Sequence, residues 1–344
     1  MNNSNSPQRA QSNKKYPVFF AKHAKRVRSV VIVIFLAGLL YFALRNAPLI
    51  QIWNTLYQLQ LWQIILILAI DVLIYLFITA RWWLIVQAEN KNISYLPMIC
   101  VRVSVFAISY FTIGPQVGGE PLQVIYLQRK YGLTYTRAAS TVVMDKLLEL
   151  LANFILLVFG LTGIIQAGIL SRNGNLPILS LIVLFAFVSW PLIHIILLYK
   201  KIYPLSGLTQ TISFIRHTKA IRFIRASEHL AGRFCQRHVR ELFGAILVSL
   251  FAASGMVSEY FLTTSFLQIH LAFWQTVAAW TAGWLSFLVP LPGGLGALEA
   301  SQVFALGFFG VSAASAISLA LFMRARDLLI GGLGLLLAGR MIAK

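Results

Sequence analysis

The chain has 344 residues, of which 58% are hydrophobic and only 11% charged. Soluble domains carry about 25% charged residues, so this composition excludes an ordinary cytosolic fold. The formal net charge of +19 arrives with no nucleic-acid-binding motif, which argues against a nucleic-acid partner and for anionic lipid head groups at the cytoplasmic surface.

Residues 1–28 form a basic tail (Arg9, Lys14, Lys15, Lys22, Lys25, Arg26, Arg28) with no acid before Val30, which places the N-terminus in the cytoplasm. A membrane-spanning helix needs roughly 17–25 mostly apolar residues. Such runs occur near 29–44, 61–80, 98–113, 138–161, 176–199, 242–268, 272–289 and 313–339, the first of them short. No small-x-small cleavage site follows the first run, so it reads as a retained span rather than a signal peptide. The expected fold is an all-α, polytopic bundle of about eight spans, with residues 29–344 as one membrane domain of a multi-pass inner-membrane protein. Arg81 and Lys91 fall in the short loop expected after the second run.

The region after the third run conflicts with a simple topology. Residues 200–240 hold Lys200, Lys201, Arg216, Lys219, Arg222, Arg225, Arg233, Arg237 and Arg240 against one acid, Glu228. If 114–137 were an outer loop, this basic segment would lie outside, against the positive-inside rule. The conflict disappears if 115–131 dips back as a broken or re-entrant helix. Gly114, Pro115, Gly118, Gly119 and Pro121 suit such a break, and the C-terminus then also falls in the cytoplasm.

A second stretch repeats the pattern. Residues 115–121 read Pro-Gln-Val-Gly-Gly-Glu-Pro and 292–299 read Pro-Gly-Gly-Leu-Gly-Ala-Leu-Glu. With Gly132-Leu133 set against Gly310-Val311, Ala138 falls on Ala316, Ser140 on Ser318, Lys146 on Arg324 and Glu149 on Asp327. The expected halves are 98–161 and 272–339, in inverted orientation. Inverted repeats with discontinuous helices are a transporter architecture, with substrate near the midplane at the repeat interface.

Seven acids lie in or beside apolar segments: Asp71, Glu120, Asp145, Glu149, Glu259, Glu299 and Asp327. A charge at the centre of a span costs about 2.5–3.5 kcal/mol on insertion scales, so these groups must face one another or a wet cavity. Lys146–Glu149 and Arg324–Asp327 read either as ion pairs that fix the bundle or as a polar lining for a head group or a proton. Glu120 and Glu299 follow the glycine-rich breaks at Gly118-Gly119 and Gly293-Gly294. They either cap the broken helices or meet a polar ligand there. Asp71 and Glu259 have no repeat partner and read as structural. Segment 200–240 carries Ile212, Ile215, Ile221, Ile224, Ala231 and Phe234 at loosely helical spacing; it is either an amphipathic helix on the cytoplasmic leaflet or a solvated connector. The two cysteines and six scattered histidines give neither a disulfide framework nor a metal site, and no phosphate loop, zinc-protease motif or nucleophile elbow is present. No cofactor is expected.

Gly118-Gly119-Glu120-Pro121, the Asp145-Lys146 helix, Pro292-Gly293-Gly294-Leu295-Gly296 with Glu299, and Arg324 together resemble the lysylphosphatidylglycerol synthase transmembrane-region family over roughly residues 25–340. That family includes the flippase half of MprF-type proteins, and the resemblance implies lipid translocation. Two departures bear on the transfer. The cytosolic aminoacyl-transferase domain is absent, so the chain is not expected to make lysyl-lipid, and Gln123 stands where the family pattern suggests an arginine.

The leading expectation is a flippase-like transporter, not an enzyme. Gly118, Gly119, Glu120, Lys146, Glu149, Gly293, Gly294, Glu299, Arg324 and Asp327 would form the substrate site; Lys146 and Arg324 would contact a phosphate, and Glu149 and Asp327 would balance them. Two alternatives stand beside it: an intramembrane transferase acting on a lipid-linked phosphate or sugar, and a scaffold for a lipid-synthesis complex. The sequence names neither the lipid nor the oligomeric state.

Overall fold

The computed structural model describes residues 57–112, 118–166, 178–211 and 219–342, with Ile50, Trp53 and Asn54 before them. The basic tail, the 29–44 run and the Gly114-Pro115 part of the first break lie outside the described residues. Within them the chain is helical throughout: α1 (Leu61–Gln87), α2 (Tyr95–Phe111), α3 (Glu120–Tyr131), α4 (Tyr135–Gln166), α5 (Ile178–Tyr199), α6 (Pro204–Thr211), α7 (Lys219–Arg237), α8 (Val239–Phe266), α9 (Phe273–Ser286), α10 (Ala297–Gly307) and α11 (Ala313–Ile342). A single 3-10 turn, Pro292–Gly294, precedes α10.

Among the described residues two helices, α1 and α8, are long and apolar enough to cross a bilayer on composition alone. The long helices α4 and α11 carry part of the buried charge, in Asp145, Arg324 and Asp327. α1 runs to Gln87, so Arg81 is not in a loop, as expected from sequence, but inside the helix with 3% of its surface exposed. The run 272–289 also differs from expectation. Its helix α9 has 14 residues, about 21 Å at 1.5 Å per residue, too short for a hydrocarbon core of about 30 Å. α3 with 12 residues and α10 with 11 are shorter still. These are the broken helices that the glycine-rich motifs suggested.

The relative direction of the first helices of the two halves follows from named contacts. Along α1 and α8, Trp62 meets Phe266 and Phe77 meets Phe251, so the helices are antiparallel. Along α1 and α2, Tyr75 meets Phe106 and Trp83 meets Tyr95, again antiparallel. α2 and α8 therefore run the same way. α9 packs back against α8 after the short Leu267–Ala272 connection, and so opposes α2. The two stretches α2-break-α3-α4 and α9-break-α10-α11 thus share an element order, and their first helices run in opposite directions.

Each half also lends its first helix to the other. α2 packs antiparallel on α11, where Gly331 faces Phe111 and Gly334 faces Val103 and Ala107. α9 packs antiparallel on α4, with Phe159 against Phe273 and Phe154 against Trp284. The two contacts correspond: the first helix of each half packs on the long helix of the other. The joints match as well. Left-handed Gly132 and Gly310 (φ 67° and 78°) end the half-helices, and the hydroxyls of Thr134 and Ser312 accept N–H bonds from Arg137 and Ser315 at the start of the long helices.

Three apolar clusters hold the bundle. One joins α4, α8, α9, α10 and α11 around Phe154, Trp280, Trp284, Leu298 and Leu319. A second joins α1 to α4 around Trp82, Met98 and Leu127. The third seats α7 against α4 and α5, with Ala231, Phe234 and Cys235 packed on Met144, Leu148 and Leu198. Thus the apolar stripe of α7 from Ile221 to Cys235 covers the bundle rather than lying free on a leaflet. There burial pushes the Cys235 thiol up to about 12, and it packs as a small apolar side chain. Outside, Val72, Phe243, Phe251, Leu329, Leu333 and Leu336 are exposed, the apolar surface that a lipid solvent requires.

Candidate functional site

The charged side chains lie on the inner faces of the helices, around a cavity of about 250 Å³ walled by α1, α2, α4, α8, α9 and α11. One ionic network, centred on α4, faces it; the charges of α11 divide between Arg326 and Asp327 on the cavity wall and a second network, Arg324 bonded to Glu299, beside it.

The first network is built on one face of α4. Asp145, with no exposed surface, accepts from Arg81 Nε at 2.6 Å and from Arg102 Nη1 at 2.8 Å. Glu149 Oε2 accepts from the same two guanidinium groups at 3.0 and 3.2 Å. Its other oxygen accepts from Lys146 Nζ at 3.1 Å, the (i, i+3) pair expected from sequence. Lys146 Nζ also lies 3.2 Å from Glu120 Oε1 at the start of α3. Three cations meet three acids here, so the network is neutral when ionised. Lys146 is the most exposed cation on the cavity wall, with 28% of its side chain exposed against 3% for Arg81, 8% for Arg102 and 15% for Arg326.

Glu120 does not cap α3. The N–H groups of Gly118 and Gly119 donate instead to Ser109 Oγ at 3.3 and 2.8 Å. A Cβ on Gly119 would lie 2.2 Å from the Val105 carbonyl oxygen, which explains the glycine. Among the described residues, Glu120 Oε2 and both polar atoms of the Gln123 amide have no hydrogen-bond partner, although Gln123 is fully buried.

The second network differs in how its groups are used. Arg324 donates to Glu299 from Nε at 2.5 Å and Nη2 at 2.7 Å, and to the carbonyls of Gly293 and Gly294 at 3.0 and 3.1 Å. Those carbonyls are presented because Gly293 and Gly294 hold left-handed backbone (φ 57° and 60°). Glu299 Oε2 also accepts the Gly296 N–H at 3.0 Å, the helix-capping role weighed from sequence. Gln302 recurs three residues after Glu299 as Gln123 does after Glu120, but it accepts from Tyr260 O–H at 2.5 Å and donates to the Ala279 carbonyl at 3.2 Å. Arg324, Glu299, Gly293 and Gly294 are outside the cavity lining.

Asp327 does line the cavity, and its partner is Arg326, not Arg324. Arg326 also binds Glu259 and approaches Asp71 at 3.8 Å. Of the sequence-derived site residues, the structure therefore gathers Glu120, Lys146, Glu149 and Asp327 at the cavity and the Gly293–Arg324 group beside it. It adds Arg81, Arg102, Arg326, Asp71 and Glu259. Arg81 could have been found: the apolar run continues past it through Trp82, Trp83, Leu84, Ile85 and Val86, so the span does not end there.

The profile of the lysylphosphatidylglycerol synthase TM region family matches residues 27–334. A UPF0104 membrane protein of Pyrococcus horikoshii is 25% identical over 286 residues, covering 76% of this chain and 80% of the relative. No solved structure matches the chain significantly.

Proposed function

This chain belongs to the lysylphosphatidylglycerol synthase TM region family of membrane proteins, and on that premise we propose that it carries a lipid with an anionic or modified head group across the inner membrane. The observation that supports the reading most is Lys146. It is the most exposed cation of a charged cavity lying where two broken-helix halves meet.

In this reading a lipid phosphate takes the place of Glu120 beside Lys146, and the acyl chains remain in the apolar surround. Exchange of one anionic partner for another keeps the lysine compensated, which removing it from Glu120 alone would not. Glu149 holds Lys146 in place during the exchange, and Arg81 and Arg102 hold Glu149. Arg324 acts at one remove. By fixing the Gly293-Gly294 turn and Glu299, it sets the second broken helix against the cavity. The N- and C-termini and segment 200–240 lie in the cytoplasm, where the basic face of that segment meets anionic head groups.

The test is translocation of head-group-labelled phospholipid in proteoliposomes, read with an impermeant quencher. Lys146→Met should insert and fold but lose transport. Normal transport by that variant would remove the lysine from the mechanism.

A further inference from the structure

Apart from the Lys146 network, three acids on three helices converge on the guanidinium of Arg326. They are Asp71 of α1, Glu259 of α8 and Asp327 of α11. Only 7%, 6% and 5% of their respective surfaces are exposed, and all three line the cavity. Fully ionised, the four groups carry two uncompensated negative charges inside an apolar bundle. Buried charge without a partner is neutralised rather than retained.

Among the described residues, no neighbouring cation is free to balance them. Arg81 and Arg102 are bonded to Asp145 and Glu149. Lys146 is bonded to Glu120 and Glu149, and Arg324 to Glu299 and two carbonyls. The remaining titratable groups of the cavity are Tyr75, Tyr110 and Tyr260, which bring no positive charge.

The three acids are not equivalent. Glu259 accepts from Arg326 Nη1, and Asp327 Oδ1 accepts from Nη2 at 2.8 Å and Nε at 3.0 Å. Asp71 stands 3.8 Å from Nε, and its Oδ2 has no hydrogen-bond partner among the described residues. A proton on Asp71 removes one of the two charges without breaking a hydrogen bond; the other remains on Glu259 and Asp327, both bonded to Arg326. A metal cation, by contrast, would have to displace the guanidinium from the centre of the cluster.

We propose that Asp71 is a proton-binding site on the cavity wall, poised by Glu259, Arg326 and Asp327, and that its loading and release couple lipid movement to a proton gradient. The coupling rests on the translocation reading; the proton site does not.

Infrared difference spectra of the protein in nanodiscs across a pH step detect a protonated carboxyl whether or not lipid moves. The wild type should show a titrating carboxyl signal that is lost in Asp71→Asn and retained in Asp71→Glu. In proteoliposomes an imposed pH gradient should accelerate lipid movement by the wild type and Asp71→Glu, and this acceleration should be lost in Asp71→Asn. A wild type without a titrating carboxyl, or with one that persists in Asp71→Asn, overturns the proton site. Titration at Asp71 with movement indifferent to the gradient overturns the coupling. A titrating Asp71 in a protein that moves no labelled lipid overturns the translocation reading, and the coupling with it, while the proton site stands.

Discussion

In the half built from α2, α3 and α4, the cation Lys146 is 28% exposed, and its partner Glu120 keeps one carboxylate oxygen unbonded among the described residues. In the half built from α9, α10 and α11, the equivalent Arg324 has 6% of its side chain exposed, with both oxygens of Glu299 and two backbone carbonyls engaged. Among the described residues Gln123 is unpartnered, and Gln302 is doubly bonded. The same unit, a break, an acid, a glutamine and a cation on the following helix, is thus open in one half and closed in the other. A duplicated motif need not duplicate a role: lysine is a point charge on a flexible stem, whereas the arginine fork can bind a carboxylate and two carbonyls at once.

Substitutions that exchange these characters give the sharpest tests. The largest effect is expected from Arg324→Met, which leaves Glu299 buried without its cation and should cost about 3–5 kcal/mol. Thermal stability in detergent, measured by fluorescence-detected size exclusion, should drop steeply, and far more than for Lys146→Met. Equal losses would erase the distinction between the halves. Gly119→Ala should follow, at about 1–3 kcal/mol of overpacking, because the new methyl meets backbone at Val105 rather than a movable side chain.

The glutamines separate the halves by a smaller amount. Gln302→Leu leaves the Tyr260 hydroxyl and the Ala279 carbonyl without their partner and should lower stability by about 1–3 kcal/mol. Gln123→Leu removes an amide that has no partner among the described residues and should be neutral or slightly stabilising in the same assay. A destabilising Gln123→Leu would show that the first half holds a bond equivalent to that of Gln302.

Much of this arrangement was legible in the sequence because broken helices and buried charges leave strong local marks. The two glycine-rich motifs located both breaks, and the Gly132/Gly310 register brought Lys146 onto Arg324 and Glu149 onto Asp327. The pairing of the charges was not legible. Arg324 and Asp327 are three apart on one helix and look like an ion pair, but the adjacent Arg326 takes Asp327 while Arg324 turns to Glu299. Partner choice depends on which faces of distant helices meet, which periodicity within one helix does not encode. Asp71 and Glu259 illustrate the same limit: neither has a repeat partner, and only the packing of α1, α8 and α11 brings them together.

The reciprocal packing of α2 on α11 and α9 on α4 has a consequence for biogenesis. α2 emerges from the ribosome long before α11, about 200 residues further along the chain, so its inner face must wait in the bilayer without the glycine surface that finally covers it. Arg102 waits in a similar way for Asp145 on α4. Neither half can complete itself during synthesis, and insertion and assembly become separate stages. A ribosome stalled before residue 313 would leave α2 uncovered, an orphan suited to recognition by membrane quality control.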